Sequence, residues 1–307
     1  MSDKYIPQNP LEVAILFLVF NRLDTTKQVF EAIRKAKPPK LYIAADGARK
    51  HKEGEDEKVK AVREYLLQNI DWECKVKTLF REKNLGCKIA VSSAIDWFFE
   101  NEEQGIILED DCLPSQSFFW FCEALLIQYK DDMRIGQISG DNFQKGIKRG
   151  DADYYFSIYN HIWGWASWAN RWVNYDVELK SMSNTDFIEE LFDDVNTKKY
   201  WIETFNIMKD KKIDTWDYQW TFTLWNKKQL TILPNINLIT NIGFGEDATH
   251  TTGESELSEL ILGELIVKTH PLDVKIDKEA DEFTSKLMFS KKNILQRIIN
   301  KIRRLLK

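Results

Sequence analysis

The chain has 307 residues, 43% hydrophobic and 30% charged, which is long enough to bury a real core in one large domain or two small ones. A net charge of −5 carries no general nucleic-acid signature, and no apolar run approaches the roughly 20 residues of a membrane span. Cys74, Cys87, Cys112 and Cys122 lack paired or metal-site spacing and read as reduced thiols of a cytosolic protein, and MSDKYIPQNP has no signal-peptide pattern.

The first element is Val13 to Phe20, a near-continuous apolar run of the kind found in strands covered on both faces. A helix is expected over Thr25 to Lys35, stopped by Pro38-Pro39, then a strand over Leu41 to Ala45 ending at Asp46-Gly47. Lys58 to Asn69 has helical periodicity through Val59, Val62, Tyr65 and Leu66. Lys75 to Phe80 is a third strand, Cys87 to Phe99 a helix, and Gly105 to Leu108 a fourth strand. This alternation predicts an α/β fold with a mainly parallel central sheet flanked by helices. Ser115 to Tyr129 continues as helix and Arg134 to Ser139 as strand. The pattern then loosens: residues 154–172 are aromatic and mixed, 186–192 and 198–228 mainly helical, and Leu230 to Ile239 strand-like. One α/β domain over 1–272 and a tail over 273–307 account for the whole.

Three consecutive carboxylates, Glu109, Asp110 and Asp111, follow the fourth strand directly. Desolvated carboxylates need pairing, hydrogen bonds or a metal. Taken alone, these acids read either as caps for the helix starting near Ser115 or as holders of a divalent cation. In open α/β sheets ligands bind beyond the carboxyl ends of the strands. That rule brings Asn21-Arg22, Asp46-Gly47, Arg81 and the acidic triplet around one crevice, and the convergence favours the cation.

The ordered landmarks ILFLVFNR, AADGAR, NLGCKIAVSSAIDWFF and GIILEDDCLPSQSFFWF resemble those of GT-A glycosyltransferases. The likeness is to the N-acetylglucosaminyltransferase I type and to bacterial HlpA-like nucleotide-diphospho-sugar transferases, over roughly residues 12–272. It continues through Gly164-Trp165-Ala166-Ser167-Trp168, Thr215-Trp216-Asp217-Tyr218-Gln219-Trp220, and Asn241-Ile242-Gly243-Phe244-Gly245 with His250. The resemblance implies a GT-A (Rossmann-like) fold and an inverting transferase that uses a nucleotide-sugar donor. In that reading Arg22 meets the diphosphate or uridine, and Asp46 the nucleobase. Asp111 ligates Mn²⁺ (or Mg²⁺), Asp110 approaches the ribose or sugar, and Glu109 supports the pair. Asp217 falls where the family keeps its base, and Gly243 to Gly245 match a segment that orders over the donor. The family's histidine after Lys-Ile-Ala has no counterpart, because Val91-Ser92-Ser93 follow Lys88-Ile89-Ala90.

Glycosyl transfer needs a neutralised leaving diphosphate, a base for the acceptor hydroxyl, and exclusion of water. Asp111 serves the first need. Asp217 serves the second, with a helix cap as its plain alternative and Glu246 or Asp247 as substitutes. The Gly243–Gly245 stretch, otherwise a simple turn, suits a closing lid. Trp165, Trp216 and Trp220 are candidates to stack the sugar of a glycan or lipid-linked acceptor. Trp163, Trp168 and Trp172 are candidates for the same groove, and core packing is the competing role for the tryptophans. His250 is either an added metal ligand, a phosphate contact or a surface histidine; His161 and His270 read as structural.

From Ile294 onward, Leu295, Ile298, Ile299, Ile302, Leu305 and Leu306 recur at helical spacing among basic residues. Residues 290–307 therefore read as a basic amphipathic helix, suited to an anionic membrane surface at the cytoplasmic face or to docking on protein. The expected activity is transfer of a sugar, most readily from a UDP-sugar, in bacterial surface polysaccharide or lipopolysaccharide assembly. A catalytically silent carbohydrate-binding protein of the same fold and a sugar-1-phosphate nucleotidyltransferase compete with it. The latter would carry a Gly-rich, Arg-containing loop where Asn21-Arg22-Leu23-Asp24 stands.

Overall fold

The computed structural model describes residues 5–182, 185–243 and 260–289. Strand β1 (Ala14–Val19) is buried along its whole length, as a strand apolar on both faces must be. Then come α1 (Leu23–Ala36), β2 (Lys40–Ala45), α2 (Glu55–Asn69), β3 (Lys75–Phe80), α3 (Gly86–Phe99) and β4 (Gln104–Glu109), in the expected alternation. The middle of the chain forms β5 (Cys112–Pro114), α4 (Gln116–Gln128), β6 (Ile135–Ser139), β7 (Tyr154–Ser157), β8 (Trp165–Trp168) and α5 (Ala169–Trp172). The remainder supplies α6 (Asp186–Leu191), α7 (Val195–Lys209), α8 (Asp217–Asn226), β9 (Leu230–Pro234), β10 (Ile239–Asn241) and α9 (Lys278–Met288).

Eight strands make one sheet in the order β3-β2-β1-β4-β8-β6-β9-β7. Strands β1 to β4 pair in parallel, as do β6 and β9, while β8 and β7 run antiparallel to their neighbours. The fold is thus the mixed, mainly parallel α/β sheet flanked by helices. Alternate side chains of β1 serve opposite faces. Ile15, Phe17 and Val19 join the core under α1, α2 and α4, whereas Ala14, Leu16 and Leu18 join the core under α3, α7 and α8.

Two segments differ from their sequence patterns. Leu230 to Ile239 is not one strand. Pro234 ends β9, and the side chains of Asn235 and Asn237 bond to backbone and turn the chain into β10, which pairs with β5 in a separate ribbon. Residues 273–289, read as tail, pack on the sheet. Asp281 of α9 accepts hydrogen bonds from Ser157 Oγ (2.5 Å) and Ile158 N (3.1 Å), and Ile276 bridges Phe156. The basic stretch 290–307 lies outside the described residues. Among the described residues no helix is long and apolar enough to cross a membrane.

Candidate active site

Strand order reverses at β1, which lies between β2 and β4, and the carboxyl ends of β1 and β4 flank the resulting crevice. Arg22 leaves β1 and precedes α1. Its Nη2 contacts Asp110 Oδ1 at 2.5 Å and Asp111 Oδ2 at 2.9 Å. Asp110, 3% exposed, also accepts Phe20 N at 3.1 Å. The two carboxylates hold the guanidinium far above any working pH. Burial pushes the Asp110 carboxyl upward while Arg22 opposes it. Glu109 is raised by desolvation and then by Asp111 and Asp110, and its carboxyl has no hydrogen-bond partner among the described residues. Three carboxylates therefore face one guanidinium.

The capping alternative for the acids fails. The first N–H groups of α4, on Gln116 and Ser117, are taken by Glu264 at 3.4 and 2.7 Å. The acidic triplet stays with the crevice. The β5–β10 ribbon then brings a distant segment onto it: Asn241 pairs with Cys112, Ile242 N donates to Asp111 O at 2.8 Å, and Gly243 N donates to Asn241 Oδ1 at 2.8 Å. A Cβ on Gly243 would collide with Asp111 Oδ2 and lie 2.7 Å from Arg22 Nη1, so only glycine fits there without displacing the pair. Gly245 and His250, like Glu246 and Asp247, lie outside the described residues.

Asp46, at the end of β2, spends its carboxylate on backbone. It accepts N–H groups from Gly47 (2.9 Å), Leu85 (3.0 Å) and Gly86 (3.2 Å), which fastens the turn into α3 where Gly86 adopts φ +78°. Desolvation raises its pKa despite these bonds. Next to it Asp214 takes Cys87 N (2.8 Å) and Lys88 N (3.0 Å), so the α3 N-terminus is satisfied by two carboxylates. The thiol of Cys87 is pushed far up by burial and by Glu109, Asp214, Asp217 and Asp46 together, which places acids from three parts of the chain around one point.

Asp217 is the first residue of α8, and Thr215 Oγ1 donates to its Oδ1. Trp165, Trp216 and Trp220 do not present a face to an acceptor. They are 0%, 2% and 0% exposed, with Trp165 stacked on Trp216 at 5.7 Å and Trp220 Nε1 bonded to Gln137 Oε1 at 2.6 Å. Large aromatic surfaces are worth more buried than wet, so these rings form the floor that fixes the start of α8. Trp168 and Trp172 are buried as well.

Sequence reasoning missed several residues here. Glu55, 4% exposed, binds Arg49 and accepts Asn21 Nδ2 at 3.0 Å, bracing the chain just after β1. Asp214 gave no signal beyond its place before Thr215. Asp141 did: Ser139-Gly140-Asp141-Asn142 is another polar cluster at a strand's carboxyl end, found by the same rule as the rest. Asp141 lines a cavity of about 180 Å³ together with His161, Trp163 and Asp217.

A divalent cation, implied by the resemblance, fits this chemistry in a limited way. The donors are hard oxygens in excess of the local positive charge. Among the described residues no three His, Cys, Asp or Glu side chains converge as a ready cage. The set therefore suits an ion held by one or two carboxylates and completed by substrate oxygens.

No family model matches the chain, and no curated protein does. Among solved structures it is similar to HddC from Yersinia pseudotuberculosis, at 9% identity and TM-score 0.33, over 52% of this chain and 77% of that one. It is also similar to the mannosyltransferase PcManGT from Pyrobaculum calidifontis in complex with GDP-Man and Mn²⁺, at 10% identity and TM-score 0.37, over 73% of each chain. A third is S. aureus TarS 1–349, at 8% identity and TM-score 0.40, over 74% of this chain and 59% of that one. These likenesses are too distant to assign an activity.

Proposed function

We propose that the chain is an inverting, metal-dependent glycosyltransferase. It moves a sugar from a nucleotide-diphosphate donor, most readily a UDP-sugar, to a hydroxyl of a glycan or lipid-linked acceptor in bacterial surface polysaccharide assembly. The observation that supports this most is the Arg22–Asp110–Asp111 cluster at the switch point of the sheet, with Gly243 packed on it and an uncompensated Glu109 beside it.

Asp111, with Glu109 behind it, would hold Mn²⁺ or Mg²⁺. Such an ion spreads the charge of a leaving diphosphate over its oxygens. Arg22 is kept charged and oriented by two carboxylates, and it offers its remaining N–H groups to the donor's phosphates. Asp217 serves as base: its carboxylate takes the acceptor hydroxyl proton as the oxygen attacks the anomeric carbon and the nucleotide diphosphate leaves. The Thr215 hydroxyl and the tryptophan floor fix that carboxylate's direction. Gly243, and Gly245 beyond it, belong to the segment proposed to order over the donor and exclude water. Asp46 reaches the nucleobase only with whatever acceptor capacity its backbone bonds leave.

Isothermal titration with UDP-, GDP- and dTDP-sugars in the presence of Mn²⁺ tests the donor half. At least one should bind, and Asp111→Ala should weaken it by about tenfold or more, roughly 1.4 kcal/mol. Absence of binding by all three classes would sink the reading. Asp217→Asn should abolish transfer and leave donor affinity unchanged. Surviving transfer removes Asp217 as base. Donor binding with neither transfer nor slow hydrolysis would mark a carbohydrate-binding protein instead.

A further inference from the structure

Helix α2 reaches the carboxyl ends of the first three strands with two side chains of opposite charge. Glu55, at its start, binds Asn21 after β1 and Arg49 beyond β2. Arg63, about two turns later at 3.6 residues per turn, takes the next pair of strand ends. Its Nη2 donates to Arg81 O at 2.7 Å and Asp46 O at 2.9 Å, with Ala45 O at 3.3 Å. The guanidinium lies over the Phe80 ring, 5.0 Å from its centroid. Its Nε is buried and has no hydrogen-bond partner, a donor left unmet by a placement that serves the carbonyls.

The loops that Arg63 joins behave as one body. A Cβ on Gly47 would lie 2.5 Å from the Lys83 carbonyl carbon and 2.7 Å from the Lys83 nitrogen, so backbone packs directly on backbone. Asn84 Nδ2 donates to Gly47 O at 2.8 Å, and Asp46 accepts the Leu85 and Gly86 N–H groups. Arg81 N continues the ladder to Ala45 O at 3.0 Å. Loss of Arg63 would strip the Asp46 and Arg81 carbonyls of this shared donor and free the two loops to part.

Strand order puts this double loop at one end of the crevice. Arg22, Asp110 and Asp111 sit at the ends of β1 and β4, and β2 and β3 follow on one side. Neighbouring strands are ~4.8 Å apart, so the end of β3 lies about 14 Å from that of β4. A diphosphate seated at the acidic cluster can lay its nucleoside over β2 and β3. Selecting among nucleosides needs walls held to within about 0.5 Å.

We propose that Arg63 is a positioning residue for the donor's nucleoside: through the Asp46 and Arg81 carbonyls it fixes the spacing of the two loops, and that spacing sets which nucleoside is accepted. Arg63 itself does not touch the ligand. The inference rests on the transferase reading.

Isothermal titration of the full chain with UDP, GDP and dTDP in Mn²⁺ tests it. The wild type is compared with Arg63→Met, which keeps a stem over Phe80 and loses the charge and donors, and with Arg63→Lys, which restores a charged donor. Near-UV circular dichroism and melting establish that each is folded. The wild type should prefer one nucleotide. Arg63→Met should lose about tenfold in affinity for that nucleotide and less than about threefold for the others, so the preference collapses. Arg63→Lys should recover part of the preference, a rescue that a lost packing contact would not show. Should Arg63→Met not fold, Asn84→Ala cuts the tie to Gly47 O in the same double loop and should show the same collapse. Equal loss for all three nucleotides would mark a purely structural role and overturn the inference. Unchanged affinities, or a wild type that binds all three alike, would overturn it too, and each of these outcomes leaves the transferase reading standing. If none of the three binds, that reading fails and takes the inference with it.

Discussion

Gly243 lies against the Asp111 carboxylate so closely that no side chain fits between them. The contact joins residues 132 positions apart in sequence, and the β5–β10 ribbon makes it. Gly243→Ala should push Asp111 and Arg22 off their present positions. Donor affinity, read by titration calorimetry with Mn²⁺, should fall about tenfold, roughly 1.4 kcal/mol. Global stability should change by less than about 1 kcal/mol, because the site is at the crevice and not in the core.

The Arg22–Asp110 pair is a second testable relationship. Removing Arg22 leaves Asp110, with a 5% exposed side chain, as a buried uncompensated charge. Arg22→Met should cost about 3 kcal/mol in urea unfolding. Adding Asp110→Asn should recover a good part of that, because the stranded charge goes with it. Simple additivity of the two costs would show that the pair does not act as a unit.

Asp214 caps α3 from a loop 127 residues away in sequence from Cys87. Asp214→Ala should destabilise the fold by about 1 kcal/mol, the usual loss for a helix cap. Hydrogen exchange at the Cys87 and Lys88 amides should rise first. Unchanged protection there would refute the cap.

Asp281 carries a pH dependence. Burial raises its carboxyl from an ordinary 3.8 to about 7, against the bonds from Ser157 and Ile158. The folded state therefore binds this proton more tightly than the unfolded chain. Its contribution to stability is full below about pH 4 and is lost as pH rises through about 7. Asp281→Asn keeps an acceptor for Ser157 and removes the proton. The variant should gain stability relative to wild type between pH 4 and pH 8, read as melting temperature against pH. A difference that does not vary with pH would contradict the assignment.

The tryptophans show where sequence patterns mislead. Trp165, Trp216 and Trp220 stand beside Asp217 in sequence or in space, and their rings suit sugars, yet all three are core. Asp141 and His161, by contrast, end up buried with unpartnered polar atoms. Asp141 shares its signal with the other strand-end acids. His161 has none, because an unpartnered ring nitrogen is a property of its neighbours and not of its own position.

Local pattern alone determined the alternating half of the fold. Apolar runs and helical periodicity set β1 to β4 and α1 to α3 to within three residues at their ends, and the strand-end rule assigned Arg22, Asp46 and the Glu109–Asp111 triplet to neighbouring strand ends. Such features depend on residues a few positions apart. Tertiary structure decided the rest: that Glu264 and not the acidic triplet caps α4, that Gly243 packs on Asp111, that α9 closes onto β7, and that Asp141 stays unpaired. Each depends on partners distant in sequence, and a side chain's partners and burial are set by packing across that distance.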